Sequence, residues 1–257
     1  MIEIYKKLPG TNCGKCGEPT CMAFALKVKN AQRKMSDCPY VTEADEGSFS
    51  QKPTVTMDDN YERVSNKLEE EVRNTNFKEA AIAIGGHYEI KNGGEIVRFK
   101  MMNKTYEVRK EGLFENNKYC HDSWSKIIVY DYVRRKGTRP LTGDWFTLGH
   151  FPDTASHVKA FQSKAEDKVA ESFNKNMDGM KLRCKELRGS EESGKVKADY
   201  VCRFDLLPRI PLYLCFWEAD EEFQASCKLF LDSSADVYID IEYLAYLVER
   251  FVELFVK

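Results

Sequence analysis

Four cysteines set the first question. Cys13, Cys16, Cys21 and Cys38 follow the spacing C-x2-C-x4-C-x16-C near the start of a 257-residue chain. Thiolates at this density converge on a soft metal centre far more readily than scattered ones. Three readings of the residues compete. Buried structural thiols are one, although four in so short a span argue against it. A zinc site needs a tetrahedron of ligands and usually shows two C-x2-C knuckles; here the second half has none. An iron–sulfur cluster accepts four unequally spaced cysteines, glycine-rich turns and a closing Cys-Pro, and Cys38-Pro39 supplies that close. In a reducing compartment such clustering points to metal or redox chemistry rather than disulfides. Nine cysteines, an odd number, cannot all pair in any case.

The elements that must position these thiols are short. Gly14 and Gly17 flank Cys16 and supply the left-handed backbone of a tight turn, which brings N–H groups toward anionic sulfur. Pro19 and Thr20 fit a helix start, with Thr20 as the cap and Cys21 in the first turn, where the helix dipole favours a thiolate. The spacing predicts a helix over 22–35 with an apolar stripe of Phe24, Val28, Ala31 and Met35, which returns the chain to Cys38. Lys15, Lys27, Lys29, Arg33 and Lys34 give the segment a basic face. Such a face is ordinarily just solvated; the sharper reading is steering of an acidic redox partner.

Composition bounds the rest. Hydrophobic residues make up 42% and charged residues 31%, and the net charge is −2. That is a globular composition with no electrostatic case for nucleic acid or an anionic membrane. No apolar run approaches the ~20 residues of a membrane span, and MIEIYKKLPG lacks the features of a secretory signal, so the chain reads as cytoplasmic. Residues 1–41 read as a compact module, 42–57 as a polar linker and 58–257 as a larger domain. Asp58-Asp59 fit the start of a helix with Tyr61, Val64, Leu68 and Val72 on its apolar face. Residues 95–109 alternate about Asn103-Lys104 as a hairpin. A helix is expected over 122–136, mixed helical structure over 155–188, a loop over 189–195, strands over 197–207, 210–218 and 225–231, and an amphipathic helix from Ile241 to Phe255. The fold class is α+β: a small cysteine-rich module, then a larger domain with an antiparallel or mixed sheet.

Other candidate residues carry weaker signals. Cys202, Cys215 and Cys227 fall in apolar strands and read as core. Cys120-His121, His150 and His157 are conceivable ligands, although single histidines more often serve as hydrogen-bonded residues. Glu218–Glu222 reads as an acidic hairpin tip. Asp205 is positioned to pair with Arg209, and Pro208 and Pro211 suggest a bend at a sheet edge. There is no GxGxxG, no P-loop and no nucleophile–base pattern, so whether the chain is an enzyme stays open.

Residues 5–41, YKKLPGTNCGKCGEPTCMAFALKVKNAQRKMSDCPYV, resemble the N-terminal [4Fe-4S] module of the corrinoid iron–sulfur protein large subunit, the gamma subunit of acetyl-CoA decarbonylase/synthase. The resemblance implies that Cys13, Cys16, Cys21 and Cys38 hold one low-potential [4Fe-4S] cluster that delivers electrons to a corrinoid in anaerobic metabolism. That family continues into a TIM barrel and a corrinoid-binding domain. Residues 58–257 are too short for such a barrel of ~250 residues and lack regular βα alternation. They resemble instead a prokaryotic family known only as a domain of unknown function, through PLTGDWFTLGHFP (140–152), FDLLPRIPLYLCFWEADEEF (204–223) and LFLDSSADVYI (229–239). Two functions are therefore carried forward. One is a redox protein passing single electrons from an acidic donor such as ferredoxin to a corrinoid protein or other low-potential acceptor. The other is a ligand- or protein-binding module in which the cluster is structural.

Overall fold

The structure is a computed structural model that describes residues 2–30, 32–41, 57–192 and 196–257. It divides into two compact units, Met1–Asn60 and Tyr61–Lys257. Most of the expected linker, residues 42–56, lies outside the described residues.

The first unit carries helix α1 (Ile2–Lys6), helix α2 (Cys21–Lys29) and a 3-10 turn at Met35–Asp37. The expected single helix over 22–35 is thus corrected to a shorter helix followed by a separate turn. A six-to-one hydrogen bond from Gln32 N–H to Lys27 O (2.9 Å) closes the helix end, and Asn30 caps it. Phe24, Val28 and Met35 still pack together with Ile4 and Leu8; Ala31 lies outside the described residues.

The second unit holds two five-stranded sheets, and every strand pair in them is antiparallel. Its first helices are α3 (Met57–Arg73), whose first residues precede Tyr61, and α4 (Phe77–Ile84). Asp58 and Asp59 fall inside α3 rather than before it. Leu68 and Val72 are buried, with Tyr61 and Val64 packed at the core's margin. The first sheet is a meander of β1 (His87–Lys91), β2 (Gly94–Met101), β3 (Lys104–Arg109), β4 (Gly112–Glu115) and β5 (Lys118–Tyr119). Its two-residue turns Asn92-Gly93, Met102-Asn103 and Asn116-Asn117 all have positive φ at both positions. That geometry matches strand twist and explains the asparagines. The 95–109 hairpin therefore turns one residue earlier than its expected centre.

Helix α5 (Ser123–Arg135) follows and is buried continuously from Ser125 to Val133. Asp122 caps it by accepting the Ser125 N–H at 3.1 Å. Next come β6 (Trp145–Phe146), the short helix α6 (Val158–Phe161), a π-helical stretch at Gln162–Glu166, and α7 (Asp167–Ser172) and α8 (Met177–Glu186). The second sheet runs β6-β10-β9-β8-β7, adding β7 (Ser190–Glu191), β8 (Tyr200–Leu207), β9 (Ile210–Trp217) and β10 (Ser226–Asp232). The expected loop over 189–195 thus contains a short edge strand. Strand β9 lies in the centre of its sheet, so Pro211 is not at an edge. It sits opposite Asp205, beside a break in register between Asp205 and Leu207. A bulge tolerates a residue that cannot donate to the ladder.

Helices α9 (Ala235–Tyr238) and α10 (Ile241–Phe255) close the chain. Leu244, Leu247, Val248, Phe251, Val252 and Phe255 are buried, as their helical spacing predicts. The Phe251 ring lies 4.7 Å from Phe204 and the Phe255 ring 5.2 Å from Phe173.

Asp232, buried at the end of β10, ties this part together. Its carboxylate accepts from Thr142 N–H (3.1 Å), Gly143 N–H (2.8 Å) and the Ser234 N–H (3.0 Å) and hydroxyl (2.6 Å). Burial opposes its ionisation, but the bonds from Ser234, Gly143 and Thr142 outweigh burial and hold the carboxyl below its usual value. A depressed native value means this stability is present at neutral pH and is lost as pH falls below about 4 toward the native value. Asp232→Asn should lower stability at pH 7 and flatten the acid limb of a urea-melt pH series; an unchanged limb would show that Asp232 does not carry it.

Candidate metal centre

The cysteine loop is shaped by backbone conformations that few residues adopt. Asn12, Gly14 and Gly17 have φ of 50°, 72° and 82°. The Gly17 N–H closes a turn on Gly14 O at 2.9 Å. Nothing lies within 4 Å of a side chain built at Gly14, so the glycine there serves the backbone alone. The Asn12 side-chain oxygen accepts the Cys21 N–H at 2.8 Å, which fastens the loop to the start of α2. Thr20 caps that helix through a bond from the Ala23 N–H (3.1 Å), as expected. Cys21 is its first residue.

The four thiols share this unit but differ in exposure. Cys21 and Cys38 are buried, Cys16 is partly buried against the same Phe24–Val28–Met35 cluster, and Cys13 is exposed. The 3-10 turn delivers Cys38, whose N–H bonds Met35 O at 3.1 Å. The Lys15 backbone N–H bonds the Cys13 sulfur and, with the Thr11 hydroxyl, lowers that thiol below its ordinary value. Among the described residues, no three His, Cys, Asp or Glu side chains already converge as a ligand set. What fits an iron–sulfur cluster is the donor chemistry. Three thiols sit in one apolar cluster, and the fourth lies on a short loop with a backbone N–H aimed at its sulfur.

The charges around this loop are more structured than a solvated face. Glu18 is buried and takes Lys27 Nζ at 2.6 Å and Arg33 at 3.9 Å. Lys15 bonds the Tyr40 hydroxyl at 2.7 Å and lies over its ring. Lys29 and Lys34 are exposed and form no ion pair among the described residues. Sequence reasoning missed Glu18, although an isolated acid inside a basic module is the signal that marks it.

In the second unit, the weaker candidates are not brought together. Cys202, Cys215 and Cys227 are buried among apolar residues. Burial pushes the Cys215 thiol up to about 11, which suits packing rather than reactivity. Cys120 is buried while its neighbour His121 is exposed against Tyr119. His150 bonds the Thr147 hydroxyl at 2.8 Å. Asp220 organises the acidic tip by accepting the Phe223 and Glu222 N–H groups at 2.7 and 2.8 Å. The expected Asp205–Arg209 pair does not form: Asp205 engages Arg203 at 3.1 Å, because strand side chains two apart share a face.

Residues 76–254 match the family described as "Domain of unknown function (DUF3786)", which covers well over half of the chain. The chain belongs to that family. Residues 8–40 match a second family, described as "Putative Fe-S cluster". Over 43 residues the chain is 51% identical to the corrinoid/iron-sulfur protein large subunit of Moorella thermoacetica, covering 17% of this chain and 10% of that one. Over 38 residues it is 66% identical to the acetyl-CoA decarbonylase/synthase complex subunit gamma 1 of Methanosarcina thermophila, covering 15% and 8%. The subunit gamma of Archaeoglobus fulgidus is 36% identical over 97 residues, covering 37% and 18%. The chain thus spans about a tenth of the length of the first two relatives. No solved structure matches it. Residues 8–40 are therefore an Fe–S cluster module similar to the N-terminal region of those proteins.

If Cys38 is a ligand, Cys38→Ala should lose a quarter of the iron or all of it. Cys202→Ala should keep full iron content and cost about 1 kcal/mol of packing. Equal iron loss from both, measured by metal analysis of anaerobically purified protein, would overturn this division of the cysteines.

Proposed function

We propose that the N-terminal unit holds one [4Fe-4S] cluster on Cys13, Cys16, Cys21 and Cys38, and that the protein works in single-electron transfer to a corrinoid protein or another low-potential acceptor. The observation that carries this reading is the gathering of Cys16, Cys21 and Cys38 in one apolar cluster beside a loop whose left-handed residues aim backbone N–H toward sulfur. Bound there, the cluster supplies one-electron chemistry. The chain's own residues do the rest. Asn12 and Thr20 fix the loop to the helix N-terminus, and Phe24, Val28 and Met35 keep water from the buried thiols.

Residues 1–41 carry seven Lys and Arg against three Asp and Glu, whereas the whole chain is net negative. This local excess suits an acidic donor such as a ferredoxin. Because Glu18 offsets Lys27 and Arg33, the steering charge falls mainly on Lys29, Lys34 and Lys15.

Two measurements test the proposal. Protein prepared without oxygen should contain about four iron and four sulfide per chain and cycle reversibly under strong reductant. Zinc in place of iron, without sulfide, would sink it. In stopped-flow reduction by a ferredoxin, the rate should fall as salt rises, since screening acts over ~10 Å at 0.1 M. Lys29→Gln with Lys34→Gln should slow it more than Lys27→Gln. A reducible cluster whose rate ignores both salt and substitution would remove the steering role.

A further inference from the structure

Three segments singled out in the sequence meet at one place in the second unit: the 137–144 loop, the Pro208-Arg209 turn between β8 and β9, and α9. They line a cavity of about 440 Å³ with Ile82 and Ala83 of α4. Arg209 is the cation of this cavity, and its setting is unusual. Its guanidinium has no ion pair among the described residues, and its Nε is buried without a hydrogen-bond partner. The neighbouring charges are already engaged. Asp205 takes Arg203, Glu79 lies 3.5 Å from Lys136, and Asp236 lies 3.8 Å from Arg139, its Oδ1 buried without a hydrogen bond.

The surroundings hold Arg209 in place rather than satisfy it. The turn is anchored from below: the Tyr132 hydroxyl accepts the Arg209 backbone N–H at 3.0 Å and donates to Ile84 O at 2.7 Å. Gly85 ends α4 with φ +73°, and a side chain there would come within 3.1 Å of Arg209 Nε and 3.2 Å of Pro208 Cβ. Only glycine therefore lets the Arg209 side chain lie across that helix end. On the opposite wall the backbone at Gly137 lies flat on the Tyr238 ring, so close that an added Cβ would approach it to 2.5 Å. The remaining lining is Ile82, Ala83 and Pro140 with two polar members, Thr138 and Glu79, the latter 3.5 Å from Lys136.

A guanidinium that lines a cavity and makes no ion pair among the described residues has its Nη groups to offer an anion there. We propose that this cavity binds a small organic monocarboxylate, its carboxylate held by the Arg209 fork and its apolar body against Ile82, Ala83 and Tyr238. The guanidinium geometry matches a planar carboxylate bidentately. A single free cation beside Glu79, at the negative C-terminal end of α4, suits one negative charge and disfavours a phosphate dianion. This site is independent of the cluster.

The test uses the full chain with 13C-labelled Ile and Ala methyl groups, titrated separately with benzoate, hexanoate and indole-3-acetate. Benzamide and inorganic phosphate serve as comparisons. At least one carboxylate should shift the Ile82 or Ala83 methyl signals saturably, with a Kd below about 1 mM. Benzamide should bind at least about tenfold more weakly, and phosphate should leave these signals in place. Arg209→Gln should lose at least about tenfold in carboxylate affinity, while its melting temperature holds or rises by a few degrees because an unpaired donor is gone. Arg209→Lys, which keeps charge but not the fork, should fall between. The proposal is overturned if no carboxylate binds, if benzamide binds equally, if phosphate alone binds, if Arg209→Gln keeps full affinity, or if that variant melts several degrees lower, which would make Arg209 a structural residue.

Discussion

A polar helix at the centre of an apolar core is the constraint on which the second unit turns. Helix α5 is covered on all sides from Ser125 to Val133, yet it carries Lys126, Tyr130, Asp131 and Tyr132. Each polar tip must find a partner within the fold, since an unpaired one there costs about 1–3 kcal/mol. Tyr130 donates to Glu69 at 2.9 Å, and Tyr132 bridges Ile84 O and the Arg209 N–H. Asp131 takes Arg134, Arg135 and the N–H of Asp240. These bonds decide where α3, α4, the β8–β9 turn and the start of α10 must lie. The sheets then fill the space that remains.

The N-terminal unit solves a different problem with different means. It is too small to build a core of this kind, and its apolar cluster is a handful of residues in which cysteine sulfurs take part. Its shape comes instead from local devices: a capped helix start, left-handed residues, and one buried acid that gathers two basic side chains. A metal centre bound by four thiolates would contribute folding free energy that so few apolar contacts cannot.

Legibility followed the length and contrast of each pattern. The amphipathic repeat of α10 and the apolar runs of β8, β9 and β10 are long, and their elements stand within a few residues of expectation. Strands β5, β6 and β7 have two residues each and no periodicity to read. Strand β1, HYEIK, is too polar and exposed to stand out. The four cysteines marked the segment that matches the Fe–S family through residue type and spacing alone, and the Thr20 cap was equally plain. Glu18 was overlooked although its isolation among basic residues marks it, whereas Arg209 was not legible, because its setting depends on the absence of a partner, which is not written along the chain. Pro211 misled for a related reason: proline argues for an edge strand, but a bulge beside it makes a central position tolerable.

The unequal exposure of the four thiols gives the module a built-in order of access. Cys21 and Cys38 are shielded by Phe24, Val28 and Met35, whereas Cys13 stands in solvent on its loop. An alkylating or oxidising reagent in solution meets Cys13 before the others. The apolar cluster keeps Cys21 and Cys38 out of reach and leaves Cys16 half covered.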